Sequence, residues 1–182
     1  MKTTLVVCMT IVALAWLAPA WTAPAAEDPS EKLSESVGRW EIEWTWNAQG
    51  ESARQLDTRI LRECRWAPQG HDYLICSMVM TSATMGNHRR LSVLSYDPNE
   101  KNYVVVAIAN PGMRPMAPQT LNIQGNTWTE VTEIKYAGKS TQTRSTTDWL
   151  APDRATLKSE SSDDGGAHWR LTASGTEKKI GD

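Results

Sequence analysis

The chain has 182 residues with 19 basic against 21 acidic side chains and 40% hydrophobic residues, enough for one domain with a sizeable core. Its basic residues are scattered and its net charge is mildly negative, which argues against a nucleic acid partner. Phe is absent while Trp occurs nine times, so the largest apolar side chains arrive with an N–H donor attached.

Lys2 leads into an apolar run from Leu5 to Leu17 and then into an Ala/Pro-rich stretch ending at Ala26, the pattern of a secretory signal peptide. That run is about 13 residues, short of the roughly 20 a spanning helix requires. No second such run follows, so the mature chain is expected to carry no integral membrane segment. Ala-x-Ala triplets end at Ala20 and Ala25. Taking residues 1–25 as the signal peptide leaves 157 residues, exported to the periplasm or the medium. Residues 26–37 read as a linker and one short helix, with Ser30 as a capping residue, Leu33 and Val37 four apart, and Gly38 as the stop.

From residue 38 to 178 the pattern is strands of seven to ten residues between Gly, Asn, Asp and Pro turns, the signature of an all-β sandwich or barrel. The first, Gly38-Arg39-Trp40-Glu41-Ile42-Glu43-Trp44-Thr45-Trp46, places Trp40, Ile42, Trp44 and Trp46 on one face. Cys64 and Cys76 fall directly opposite if the chain reverses about Gly70, and in an exported protein that pairing predicts a disulfide. The same hairpin puts Arg62, Met78, Met80 and Ile60 on one face.

A turn centred on Gly86-Asn87 sets Met80 against Val93 and Ser82 against Leu91. The loop 97–102 then sets Val93 against Val106 and Leu91 against Ile108, completing a wall of Met, Val, Leu and Ile. Beyond it, Gly125-Asn126 and Gly138-Lys139 place Trp128, Glu130, Thr132, Ile134, Tyr136, Thr141, Thr143, Ser145 and Thr147 on one face, with Trp128 opposite Trp149. Turns at Asp153 and Gly165 continue that face through Leu157, Ser159, Ser161, Trp169, Leu171 and Ala173. Unpaired buried hydroxyls cost on the order of 1–3 kcal/mol each. A lining apolar on one side and hydroxylic on the other therefore suits a barrel holding water or a ligand rather than a dry sandwich.

Gly38-Arg39-Trp40 after a short helix resembles the opening Gly-x-Trp of lipocalins, whose Trp plugs the closed end of the barrel. Further pieces are similar to a bacterial family named domain of unknown function 1579. They are Cys64-Arg65-Trp66 with Gly70-His71-Asp72-Tyr73-Leu74-Ile75-Cys76, Leu94-Ser95-Tyr96-Asp97-Pro98 with Tyr103, Gly125-Asn126-Thr127-Trp128, and Glu160-Ser161-Ser162-Asp163-Asp164-Gly165-Gly166 with Trp169. The resemblance implies a single lipocalin-like (calycin-type) up-and-down antiparallel barrel of about ten strands, and no catalytic residues. Ser95 stands where Gly often precedes Tyr-Asp, and the Pro/Met-rich stretch 111–118 departs from the pattern.

The site expected from these faces is a ligand lining of Trp44, Trp46, Arg62, Met78, Met80, Val106, Glu130, Tyr136 and Thr143. Arg62 and Glu130 either pair with each other or anchor the polar head of a guest. The three histidines have no partner at metal-ligand spacing, and no nucleophile motif or phosphate-cradling loop occurs, so neither metal nor cofactor is expected. The expected function is binding of a small amphipathic or lipophilic molecule. The alternatives are an enzyme with Glu130 as acid or base, and a barrel filled by its own side chains. Ser162 to Trp169 reads as a turn stabilised by Asp164.

Overall fold

The alternation of GRWEIEWTW becomes strand β1 (Gly38–Trp46), which opens an antiparallel meander. The structure, a computed structural model, describes residues 28–47, 56–82, 86–110, 114–136 and 139–182. The segment read as a signal peptide lies outside the described residues. The chain continues through β2 (Leu56–Trp66), β3 (Leu74–Ser82), β4 (Gly86–Asp97), β5 (Asn102–Asn110) and the two-residue β6 (Arg114–Pro115). It then runs through β7 (Gln119–Gln124), β8 (Thr127–Tyr136), β9 (Lys139–Ala151), β10 (Arg154–Ser162) and β11 (Arg170–Gly181). β1 pairs with β11 at one seam and β5 pairs with β7 at another, while β6 hangs on β5 alone. The result is a closed ring of ten antiparallel strands, with no unpaired sheet edge in the ring.

One end is plugged. A 3-10 helix, Pro29–Ser36, precedes β1; its cap is Asp28, whose carboxylate accepts from the Ser30 amide, rather than Ser30 itself. Pro29 takes the first helical position, where the missing N–H costs nothing. Leu33 and Ser36 are buried beneath the helix, and the Trp40 indole donates to the Ser36 carbonyl at 2.9 Å. Trp40 meets Trp149 edge to face at 5.1 Å, and Trp149 meets Trp128 at 5.5 Å. Leu74, Val105, Leu121 and the Cys64–Cys76 disulfide complete this core. The helix is also tied from outside: the Tyr103 hydroxyl donates to the Pro29 carbonyl, and His71, stacked on Trp66, meets Glu31 at 2.8 Å.

The hairpin about Gly70 has the expected register, Cys64 facing Cys76 and Arg62 facing Met78. The next does not. β3 and β4 pair Ser82 with Gly86 and Met80 with His88, so Val93 lies opposite Ile75 and not Met80. Gly86, at φ 73°, closes the connection instead of centring it. The difference is an odd number of residues, which turns every side chain of β4 to the other face. Since β5 keeps the expected pairing with β4, it turns with it. Leu91, Val93, Val106 and Ile108 are therefore outside, and Arg90, Ser92, Leu94, Val105, Ala107 and Ala109 are inside.

Trp128 lies opposite Thr147 rather than Trp149, an even shift that preserves faces. A bulge between Ser159 and Glu160 does not preserve them: Ala173 stays inside, while Leu171 comes to the outer surface. Trp169 also lies outside, beneath the Arg144 guanidinium at 4.3 Å, where Arg144 is held by Glu160.

Candidate functional site

Away from the tryptophan plug the inner wall is open to solvent. Ser145 points inward, facing Glu130 and Ser159, yet it is exposed, and the inward Met78, Met80, Thr143 and Ser161 are partly exposed. Solvent therefore reaches the inner wall from the end opposite the helix. Among the described residues, Trp44, Trp46, Arg62, Met78, Met80, Glu130 and Thr143 all sit on that wall, as do Thr58, Ile60 and Ser159. Val106 does not: it lies on the outer surface at 48% exposure, carried there by the register of β4. Tyr136 ends β8, and its side chain lies outside the described residues.

Trp44 and Trp46 are consecutive inward residues of β1, their rings edge to face at 6.0 Å. Trp44 lies across β11 at Gly175, where a Cβ would stand 2.8 Å from its Cε3, so only glycine lets the indole lie flat on that strand. Met78 and Met80 supply an adaptable apolar surface two strands away.

Among the described residues two ion pairs lie along the inner wall, and neither is the expected Arg62–Glu130 pair. At the inner end, Arg62 Nη2 lies 2.6 Å from Glu177 Oε1, with Glu177 fully buried and Arg62 at 16% exposure. The two are not aligned as a hydrogen bond, and neither Glu177 oxygen has a hydrogen-bond partner among the described residues, so the contact is one of charge. Burial pushes the Glu177 carboxyl above its ordinary range, and Arg62 offsets part of that rise. Arg62 also lies over the Trp40 ring, 5.6 Å from its centroid. Its charge is thus committed to the floor of the barrel.

Higher on the wall, Arg90 Nη2 donates to Gln119 Oε1 at 3.2 Å and to Glu130 Oε1 at 3.3 Å. Gln119 Nε2 in turn donates to Thr132 Oγ1 at 2.6 Å. These residues stand on β4, β7 and β8. Arg90 spans the intervening β5 because its neighbours there, Ala107 and Ala109, are small. Arg90 and Glu130 retain 29% and 21% side-chain exposure, so this pair, unlike the floor pair, meets solvent.

Arg90, Gln119 and Glu177 were missed from the sequence. Arg90 fell on the wrong face with the rest of β4. Glu177 lies in the last strand on the face of Ala173, just beyond the point where the expected inner face ended. Among the described residues the inward carboxylates are thus two, Glu130 and Glu177, rather than Glu130 alone.

Among the described residues no group of three His, Cys, Asp or Glu side chains is placed to hold a metal ion, and no helix is long and apolar enough to cross a membrane. A recess of about 720 Å³ is lined by the outward Glu41, Glu43, Thr45, Arg59 and Thr81 of β1, β2 and β3 together with Trp44 and Thr58. Glu41 and Arg59 form an ion pair within it, which leaves a charged surface hollow rather than a pocket for an apolar guest.

The class these features define is an all-β, ten-strand antiparallel barrel, closed by a short helix at one end and entered by solvent at the other. No protein-family profile matches the chain, and no curated protein matches it. Solved structures do. The S-type phycobiliprotein lyase CpeS from Guillardia theta superposes with a TM-score of 0.56 at 13% identity, over 84% of this chain and 92% of that one. Rv2717c from M. tuberculosis superposes with a TM-score of 0.55 at 11% identity, over 84% and 98%. At such identities the likeness is one of fold.

Proposed function

We propose that the protein is exported and holds a small amphipathic or lipophilic molecule inside its barrel without transforming it. The observation that carries this reading is the solvent-exposed inner wall, apolar at Trp44, Trp46, Met78 and Met80 and polar at Ser145, Thr143 and the Arg90–Glu130 pair. An apolar body would lie against the indoles and thioethers, and a polar end would exchange hydrogen bonds with Arg90, Gln119 and Glu130. Arg90 takes the anchoring role that the sequence suggested for Arg62, because Arg62 already faces a buried carboxylate. A lipocalin-like lineage agrees with the Gly38-Arg39-Trp40 plug, and export agrees with the N-terminal pattern and the disulfide. Similarity to a barrel named as a phycobiliprotein lyase supports a lumen that receives a ligand.

The test is native mass spectrometry of protein purified from its own host, followed by titration of the delipidated protein with anilinonaphthalene sulfonate. A copurifying small molecule and a saturable fluorescence gain are expected. Arg90→Leu should weaken the anionic probe roughly 10- to 100-fold, the range for a lost charged hydrogen bond. An apo mass together with no fluorescence gain would refute the reading. Turnover of a bound molecule, abolished by Glu130→Gln in a folded variant, would replace binding with catalysis.

A further inference from the structure

The odd register of β4 leaves an apolar surface on the outside of the barrel. In the outward rows, Leu61 faces Val79 across β2 and β3, and Leu91 faces Ile108 across β4 and β5. Leu61, Val79 and Leu91 are 44%, 39% and 43% exposed. They border two shallow hollows, one of about 410 Å³ against Leu91 and Ile108 and one of about 150 Å³ against Leu61 and Ile180. Single exposed apolar residues are ordinary, but a contiguous set spanning four strands is not.

Charge at its corners indicates the occupant. Glu63 lies opposite Ser77 on one flank of the patch, and Arg89 lies opposite Val79 on the other. Both are exposed, and among the described residues neither forms an ion pair. They sit diagonally across Val79, one of each sign. A twofold axis lying in the plane of contact and crossing β3 between Ser77 and Val79 brings Glu63 of each copy to Arg89 of the other. The same rotation lays Leu61 against Val79 of the second copy, so an isologous contact satisfies both charges twice and covers the apolar rows at once.

We propose that this face, the outer surface of β2 to β5 around Val79, is the contact through which a second copy of the chain binds. Strands about 4.8 Å apart and residues about 3.4 Å along them give four strands by seven residues a flat footprint of roughly 450 Å². That is below the ~800 Å² per partner of a standard interface, so the pair is reversible, with dissociation in the micromolar range.

Sedimentation velocity of the full mature protein from about 1 to 300 µM tests this. A concentration-dependent dimer is expected. Val79→Glu should hold the protein monomeric at every concentration, as should Leu91→Glu, with unchanged circular dichroism because both positions face solvent. Glu63→Arg should weaken association at least tenfold at low salt, and the exchange Glu63→Arg with Arg89→Glu should restore it. Leu150→Glu, an exposed position on β9, should change nothing. A monomer throughout the range would overturn the proposal. So would a dimer indifferent to Val79→Glu and Leu91→Glu, or a charge exchange that fails to restore association.

Discussion

Arg62→Met removes the counter-charge of a fully buried carboxylate, and its consequence can be worked from the floor of the barrel. Breaking a buried ion pair from one side costs about 3–5 kcal/mol, because the other charge is left in a medium that cannot solvate it. For a domain of 150–250 residues each kcal/mol moves Tm by about 2–4 °C, so the loss at neutral pH is roughly 6–20 °C. Glu177 fixes how that loss depends on pH. Its folded pKa is already raised by burial against the partial opposition of Arg62, and removing Arg62 raises it further. A carboxyl raised on folding contributes stability that is fully present below its unfolded pKa of about 4.3 and is lost as pH climbs through the folded value. The deficit of the variant should therefore be small near pH 4 and grow towards pH 8, by at most ~1.4 kcal/mol per pH unit. Methionine keeps most of the stem that packs near Trp40, leaving a pH-independent residue of about 0.5–1 kcal/mol for the lost cation–π contact. Thermal unfolding across pH 4 to 8 measures this, and adding Glu177→Leu should recover most of the loss. A deficit below about 1 kcal/mol at pH 7, or one of equal size at both ends of the range, would refute the reasoning.

Three further outcomes follow from the same geometry. Gly175→Ala would drive a methyl into Trp44 and the Glu43 carbonyl; about 1–3 kcal/mol of stability should go, with a change in Trp fluorescence as the lumen wall shifts. Reducing the buried Cys64–Cys76 bridge should cost about 2–4 kcal/mol, read by denaturant melts with and without reductant; an unchanged midpoint would contradict its place in the plug. Asp164 is held well below the usual carboxylate range, first by the His168 amide, then by the Ser162 hydroxyl and the His168 ring. A depressed carboxylate supports structure above its unfolded pKa of about 3.9 and loses that support as pH falls below it. The His168 amide should therefore exchange faster in the Asp164→Ala variant at pH 7; equal protection would show that the bond does not hold the turn.

The sequence resolved best where turn chemistry and apolar alternation agree. β1 was legible in full, since Trp40, Ile42, Trp44 and Trp46 alternate with Arg39, Glu41, Glu43 and Thr45, and the cysteine hairpin followed from a turn at Gly70. Strand length and spacing carried only the all-β class, sandwich or barrel; the mixed lining favoured a barrel, and the ring of ten strands is what the lipocalin-like resemblance implied. β4 failed because two rules conflicted there. A Gly-Asn pair between strands reads as a two-residue turn, and the apolar Leu91 and Val93 read as the core face. In the fold, Gly86 ends a longer connection, so the greasy positions face out and Arg90 and Ser92 face in. Had the inward row Arg90-Ser92-Leu94 been tested against the small Ala107 and Ala109 of β5, Arg90 would have emerged as a site residue. Glu177 shares the face of Ala173, and regular alternation through Gly175 reaches it; the expected inner face simply ended at Ala173.

That one reversal ties the lumen to the outer surface. On β2 and β3 apolar residues line the inside, and a barrel built of such strands throughout would fill itself. On β4 and β5 the bulk is outside, which leaves alanines inside and frees space for Arg90 to reach Gln119 and Glu130. The hollow and the exposed patch around Val79 are thus two sides of the same strands. Substituting the outer Leu91 or Val106 by a polar residue should leave the lumen intact, whereas enlarging Ala109 should close the trough without disturbing the outer face. Binding and association are therefore separable by mutation, although a single choice of register sets both.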